Sequence, residues 1–156
     1  MPTVPTVVQD FLSQERIAVA GVSSTDSNAP GNLICRKLRA AGHMVFAVNP
    51  RADEIEGGKC YRSLAAIGIP VDALMITAPP AAAEELVHEC ARLGIHRVWM
   101  HRAFGRGSSS REAAQFCREN GIAVIEGGCP MMFCGPVDLP HKCARWILRV
   151  TGGLPH

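Results

Sequence analysis

A chain of 156 residues is long enough for one domain with its own core, needing no disulfide or metal staples. With 47% hydrophobic and 19% charged residues it has the composition of an ordinary globular protein, and a net charge of +2 without a Lys/Arg run carries no polyanion-binding signal. Five Phe, two Trp and one Tyr are too few for base-stacking platforms, and no apolar run approaches the roughly 18 residues of a membrane span, so neither nucleic acid nor membrane is an expected partner.

Taken in order, residues 6–15 read as a short amphipathic helix, a lid on the sheet edge with Val7, Val8, Phe11 and Leu12 on one side. Residues 17–20 form a buried strand, and Gly21 ends it where the backbone must turn sharply. Asn28, Pro30 and Asn32 then supply helix-start chemistry ahead of a helix over 32–41, with Leu33, Ile34 and Leu38 inward and Gly42 closing it. A strand that feeds a helix N-terminus through the loop Gly21-Val22-Ser23-Ser24 brings backbone N–H groups and the positive dipole end to one spot. That setting fits a phosphate-bearing nucleotide; an ordinary polar βα loop is the equal alternative on these residues alone.

A second strand over 43–48 stops at Asn49-Pro50, residues 51–58 are polar and turn-rich, and 59–61 make a short third strand before a brief helix at 63–67. Residues 71–78 are a strong buried strand ended by Pro79-Pro80. A helix follows over 81–93, with Leu86, Cys90 and Leu93 on one face and Gly94 after it. Residues 97–101 are a strand leading to the loop that starts at Arg102. A helix over 109–120, with Ala113, Phe116 and Cys117 inward, is closed by Gly121, and 123–125 are the last strand. A Cys/Pro/Met-rich loop and a C-terminal helix over about 139–150 complete the chain.

Strands alternating with helices at this spacing argue for an α/β, Rossmann-like three-layer fold: a five-stranded, mostly parallel sheet of order 3-2-1-4-5 with helices on both faces. The whole chain, 1–156, reads as one such domain with a helical extension over about 136–156. Ligands of such sheets bind outside the carboxyl ends of the strands, where the strand order reverses. Those ends carry Gly21 to Ser24, Asn49-Pro50-Arg51, Pro79-Pro80, the His101 loop and the segment after Glu126.

The dinucleotide fingerprint G-x-G-x-x-G cannot be drawn, because the next glycine after Gly21 is Gly31. An NAD site also asks for an acid at the end of the second strand, and Asn49-Pro50-Arg51 stands there, with Asp53 and Glu54 nearby. A cation in that place suits a phosphorylated ribose, as in NADP or coenzyme A. Read alone, Asn49-Pro50 is a strand-ending turn and Arg51 a solvated charge.

The segments Ile17-Ala-Val-Ala-Gly-Val-Ser, Val48-Asn-Pro-Arg-Ala-Asp-Glu-Ile-Glu-Gly, Cys60-Tyr-Arg-Ser-Leu, Val71-Asp, Pro79-Pro80, Gly94-Ile, Val98-Trp-Met and Cys129-Pro-Met-Met follow one another in a specific order. In these the chain resembles the small standalone CoA-binding proteins of Rossmann-like fold, relatives of the CoA-binding domain of succinyl-CoA synthetase alpha subunits. The resemblance covers roughly residues 7 to 135. It implies coenzyme A or an acyl-CoA across the carboxyl ends of the strands. Gly21, Val22, Ser23 and Ser24 would cradle phosphate with Asn28 and Asn32. Asn49, Pro50 and Arg51 would border the ribose and its 3′-phosphate, and Pro79 and Pro80 would wall the adenine. Many family members carry Trp-x-Gln-x-Gly where this chain has Trp99-Met-His-Arg-Ala-Phe-Gly, with Arg102 and Arg106 in a longer, more basic loop.

Cys129, Cys134, His141 and Cys143 fall within fifteen residues, but C-x₄-C-x₆-H-x-C is not a zinc-knuckle spacing, so structural thiols are the favoured reading and no metal is expected. Cys129 is also placed to meet a thiol end of the ligand. Among six scattered histidines His101, at a strand's carboxyl end, is the best placed for function. No G-x-S-x-G elbow and no acid–base pair occurs, so the expectation is binding without evident catalysis: a carrier, sensor or regulatory module. The alternative is an NADP-dependent oxidoreductase or NADP sensor using the same groove. Seven cysteines with no disulfide framework, and an N-terminus without signal-peptide character, point to the cytoplasm. A homodimer or association with a CoA-using enzyme stands open as the mode of assembly.

Overall fold

The computed structural model describes residues 5–102 and 107–130. Its strands are β1 (Arg16–Ala20), β2 (Met44–Val48), β3 (Glu54–Ile55), β4 (Gly58–Tyr61), β5 (Ala73–Ile76), β6 (Arg97–Met100) and β7 (Ala123–Glu126). The helices are α1 (Thr6–Leu12), α2 (Pro30–Ala40), α3 (Pro80–Leu93) and α4 (Arg111–Glu119), with a 3-10 turn at Ala65–Ile67.

The strands form one seven-stranded sheet of order β3-β4-β2-β1-β5-β6-β7, parallel throughout except for the antiparallel β3–β4 hairpin. The class is the one expected; the strand count of five is not. The order 3-2-1-4-5 survives as β4-β2-β1-β5-β6; the expected last strand at 123–125 joins it at one end as β7, and β3, which was not expected, joins it at the other. β7 pairs with β6 from Arg97↔Ala123 to Met100↔Glu126. β3 arises because Glu56 (φ 52°) and Gly57 (φ 77°) both take the left-handed conformation that a two-residue hairpin turn needs. Arg36 of α2 holds Glu56 in place by an ion pair of 2.5 Å.

Burial on both faces explains the near-continuous apolar runs of β1 and β5. Alternate residues enter two cores. Ile17, Val19, Met75 and Trp99 pack under α1 and α2, with Val8, Phe11, Ile34 and Leu38. Ala18, Leu74, Ile76 and Met100 pack under α3 and α4, with Ala83, Val87, Cys90, Ala113 and Cys117. α1 is shorter than expected and lies on a sheet face: Phe11 meets the Trp99 ring edge-on at 5.3 Å, and Arg97 pairs with Asp10 at 2.7 Å. On α3 the buried stripe is Ala83, Val87 and Cys90, whereas Leu93 is 46% exposed. Leu86 is half-buried, packed against the edge of this core. The chain leaves β1 for one face through α2 and leaves its neighbour β5 for the other through α3, so the strand order reverses between them and opens a crevice.

Candidate functional site

The crevice is built on the turn after β1. Gly21 has φ +108°, and its N–H donates to the Val48 carbonyl at 3.1 Å. A Cβ there would lie 2.6 Å from the carbonyl carbon and Oγ1 of Thr77. Gly31, in the first turn of α2, is equally confined: a Cβ would stand 2.6 Å from Thr77 Oγ1 and 3.1 Å from the Gly21 oxygen. Thr77 is fixed in turn, its N–H and Oγ1 both donating to the Ala20 carbonyl at 2.7 and 3.0 Å. The close helix–strand approach that the dinucleotide fingerprint assigns to a glycine is made here by Gly31, ten residues on.

Beyond the turn, the loop is organised by Asn32, which is 1% exposed. Its Oδ1 accepts from the Ser23 N–H at 2.7 Å, and its Nδ2 donates to the Ser23 carbonyl at 2.9 Å. Ser23 Oγ accepts from the N–H groups of Thr25 and Asp26, and Asp26 Oδ1 accepts from that of Asn28. Several donors that the sequence offered to a phosphate are thus used inside the loop. Asn32 is therefore first a buried brace. Asn32→Ala strips both polar groups of the Ser23 backbone of their partner, and a loss of about 1–3 kcal/mol in urea unfolding is expected; an unchanged midpoint contradicts the bracing role.

At the end of β2, Asn49 ties three segments together. Its Nδ2 donates to the Val22 carbonyl (2.9 Å), its Oδ1 accepts from the Arg51 N–H (2.8 Å), and its own N–H donates to the Tyr61 carbonyl (2.9 Å). The third wall is α3, whose N-cap is Pro79 and whose first residue is Pro80. Between these walls lies a crevice of about 600 Å³. Among the expected site residues, Gly21, Asn49, Pro50, Arg51 and Pro79 line it together. Val22, Ser23, Ser24, Asn28, Asn32, Pro80, His101 and Cys129 are not among its lining residues. Val22 and Cys129 are each 3% exposed, in the core under α1 and α2. His101 follows β6, its N–H donating to the Ile76 carbonyl and its carbonyl accepting from Ser108.

Arg62, Ser63, Thr77, Glu85 and Glu89 also line the crevice, and the sequence reading passed over them. The rule that ligands sit at carboxyl ends would have found Arg62 and Ser63, which follow β4. Ala82, Glu85, Leu86 and Glu89 recur at helical spacing, so one stripe of α3 faces the ligand space. The wall is largely aliphatic, with arginines and carboxylates at its rim. Glu89 is occupied, accepting from the Ala65 N–H at 3.0 Å. Arg62 makes a two-pronged pair with Asp53 at 2.7 and 2.9 Å; that hydrogen bond and its charge hold the Asp53 carboxyl below its ordinary range. The Arg51 side chain has no ion pair among the described residues.

Among the described residues no histidine, cysteine or lysine lines the crevice; those that do offer hydrogen bonds, cations and an apolar wall. Cys35, Cys60, Cys90, Cys117 and Cys129 are all buried. Among the described residues no cluster of three metal-ligating side chains occurs; Cys134, His141 and Cys143 lie outside them, as do Arg106 and the expected C-terminal helix. No helix among the described residues is long and apolar enough to cross a membrane.

A family model described as "CoA binding domain" matches residues 15–134. Acetate–CoA ligase [ADP-forming] I of Archaeoglobus fulgidus is 38% identical over 119 residues, which are 72% of this chain and 17% of the ligase. An uncharacterized Bacillus subtilis protein, YneT, is 29% identical over 119 residues, 74% of this chain and 82% of its own. The structure of a hypothetical protein from Pyrococcus horikoshii OT3 superposes with a TM-score of 0.73 at 25% identity, over 84% of this chain and 94% of that one. Against the acetate–CoA ligases the match is partial: this chain spans between 11% and 17% of the length of the Archaeoglobus fulgidus enzymes I and II and the Methanocaldococcus jannaschii enzyme.

Proposed function

We propose, from the premise that this chain belongs to the CoA binding domain family, that it binds coenzyme A or an acyl-CoA in the crevice beyond β1, β2 and β5. In this reading it acts as a carrier, sensor or regulatory module and performs no chemistry on the ligand. The observation that carries the reading is the convergence of Gly21, Asn49, Pro50, Arg51 and Pro79 on one space of about 600 Å³. Its aliphatic wall suits a flat base, and Arg51 offers an uncommitted guanidinium to a phosphate. Asp53, the acid closest in sequence to Arg51, is engaged by Arg62, which leaves it poorly disposed to accept from a ribose diol. Ligase chemistry is not part of the proposal, since the matched region is a small fraction of the ligase length. Whether the module works as a homodimer or docked on a CoA-using enzyme is read by sedimentation with and without CoA.

Calorimetric titration with CoA, acetyl-CoA, NADP and ATP tests the reading. Heat with CoA or acetyl-CoA is expected; heat with NADP and none with CoA overturns it in favour of an NADP-dependent protein. Arg51→Ala is expected to weaken CoA by roughly tenfold or more, the scale of one charge-assisted hydrogen bond, while dephospho-CoA changes by less than about threefold. Equal losses for both ligands would remove Arg51 from the phosphate.

A further inference from the structure

We propose that Arg62 is a second phosphate-selecting cation of the crevice, acting beside Arg51 to favour a ligand whose ribose carries a phosphate monoester; the proposal rests on the CoA reading above. The two arginines leave the same rim of adjacent parallel strands. β2 and β4 are paired with Val48 opposite Tyr61, Arg62 follows Tyr61 directly, and Arg51 stands three residues past Val48. The hydrogen bond from the Asn49 N–H to the Tyr61 carbonyl locks the two strand ends together. Neighbouring strands are about 4.8 Å apart, so the two arginines belong to chain segments that leave the sheet side by side. Both line the crevice.

The Arg62 guanidinium is used on one edge only. Nε and one terminal nitrogen donate to Asp53 Oδ1 and Oδ2. A guanidinium carries five N–H donors in a rigid plane, so the remaining terminal edge keeps donors with no partner among the described residues. Asp53 fixes that plane without consuming it. The side chain is 59% exposed, so turning the spare edge to a ligand requires no opening of the core. A phosphate monoester carries close to two negative charges at neutral pH, against one for each phosphorus of a diester or diphosphate bridge, and two cations at one rim match the former. Lysine could supply the charge at this position but not the planar fork that Asp53 orients.

The test is calorimetry with CoA and dephospho-CoA on the wild-type protein, Arg62→Ala and Arg62→Lys. The wild type is expected to prefer CoA by at least about tenfold, and Arg62→Ala to reduce that preference by roughly tenfold through the CoA affinity alone. Arg62→Lys should recover part of it, keeping charge and losing the fork. A preference unchanged in Arg62→Ala, or equal losses for both ligands, overturns the proposal. A wild type that binds both ligands equally also overturns it and leaves the CoA reading standing. A wild type that gives no heat with CoA overturns that reading itself. A lower thermal midpoint with an unchanged preference would mark Arg62 as a structural partner of Asp53 only.

Discussion

Gly21→Ala is expected to lower the thermal midpoint by roughly 10 °C and to abolish binding in the crevice. Two costs combine at this position. At φ +108° any L side chain is strained, which costs about 1–3 kcal/mol. A Cβ would also stand 2.6 Å from the carbonyl carbon and Oγ1 of Thr77, and would press on the Ala78 backbone nitrogen. Neither neighbour is the loose end of a flexible side chain: Thr77 is tied to the Ala20 carbonyl by both its N–H and its hydroxyl. Overpacking of this kind adds about 1–3 kcal/mol, and in a domain of this size each kcal/mol shifts the midpoint by about 2–4 °C. The contacts that would move are those closing the ligand space between β1 and α3. Gly42→Ala is the control. Its φ is +99°, yet nothing lies within 4 Å of the added Cβ, so only the same conformational cost of about 1–3 kcal/mol applies, without the overpacking. Scanning calorimetry of both variants separates the terms. If Gly21→Ala were as mild as Gly42→Ala, the interlock of Gly21, Gly31 and Thr77 would not be the constraint described.

What the sequence could express was whatever depends on local chemistry. The runs at 17–20 and 71–78 show apolar strands, Gly94 and Gly121 show helix ends, and Asn49-Pro50 shows a strand end; each element formed near its expected place. The residues that converge from the loops after β1, β2 and β5 were legible because the switch-point rule is topological and needs only strand order. The additions were of another kind. β3 is two residues long and turns on Glu56-Gly57, without the Asn-Gly or Asp-Gly signature, and it is held from outside by Arg36. The buried stripe of α3 is Ala83, Val87 and Cys90, which a stripe of larger residues at 86, 90 and 93 conceals in the sequence. Gly31 could not be linked with Gly21 by spacing, because the loop between them is long and the close approach that confines both also involves Thr77, far along the chain. Arg62 was within reach of the carboxyl-end rule, since it follows β4 directly; only its exact place beside Arg51 depends on the register of β2 with β4. Asn28 and Asn32 have helix-start chemistry in sequence, but Asn32 spends it on Ser23 and the α2 N-cap is Ala29.

Stability is expected to fall steeply above pH 9, and the cause is the cysteines. Burial pushes the Cys35 thiol up to about 12 and the Cys117 thiol up to about 11, from an ordinary value of 9.0; burial also raises Cys60 and Cys90. Below pH 9 the folded and unfolded chains both hold these protons, so the thiols give no pH dependence. Above pH 9 the unfolded chain releases them and the folded chain keeps them, so the native state binds more protons and loses stability as pH rises. Each such thiol contributes about 1.4 kcal/mol per pH unit, from pH 9 until its own folded value is reached. Urea unfolding at pH 8, 9, 10 and 10.5 in the presence of a reductant measures the slope. Lysine and tyrosine titrations add a background common to all variants, so the decisive comparison is the slope, not the absolute stability. Cys35→Ala lowers stability at pH 8 by the cavity it leaves, yet it should flatten the alkaline decline by about one thiol's share. Cys117→Ala should do the same over this range, which lies below its folded value of about 11. A decline equally steep in both variants would refute the assignment. The same burial suppresses the small thiolate fraction that an ordinary thiol has at neutral pH and blocks access to the sulfur, and a thiolate is the form that attacks disulfides and binds metals. A chromogenic thiol reagent at pH 7 should therefore label Cys35, Cys90 and Cys117 only after denaturation. Rapid labelling of any of them in the native protein would show that burial does not silence them and would reopen the cysteines as chemistry-bearing residues.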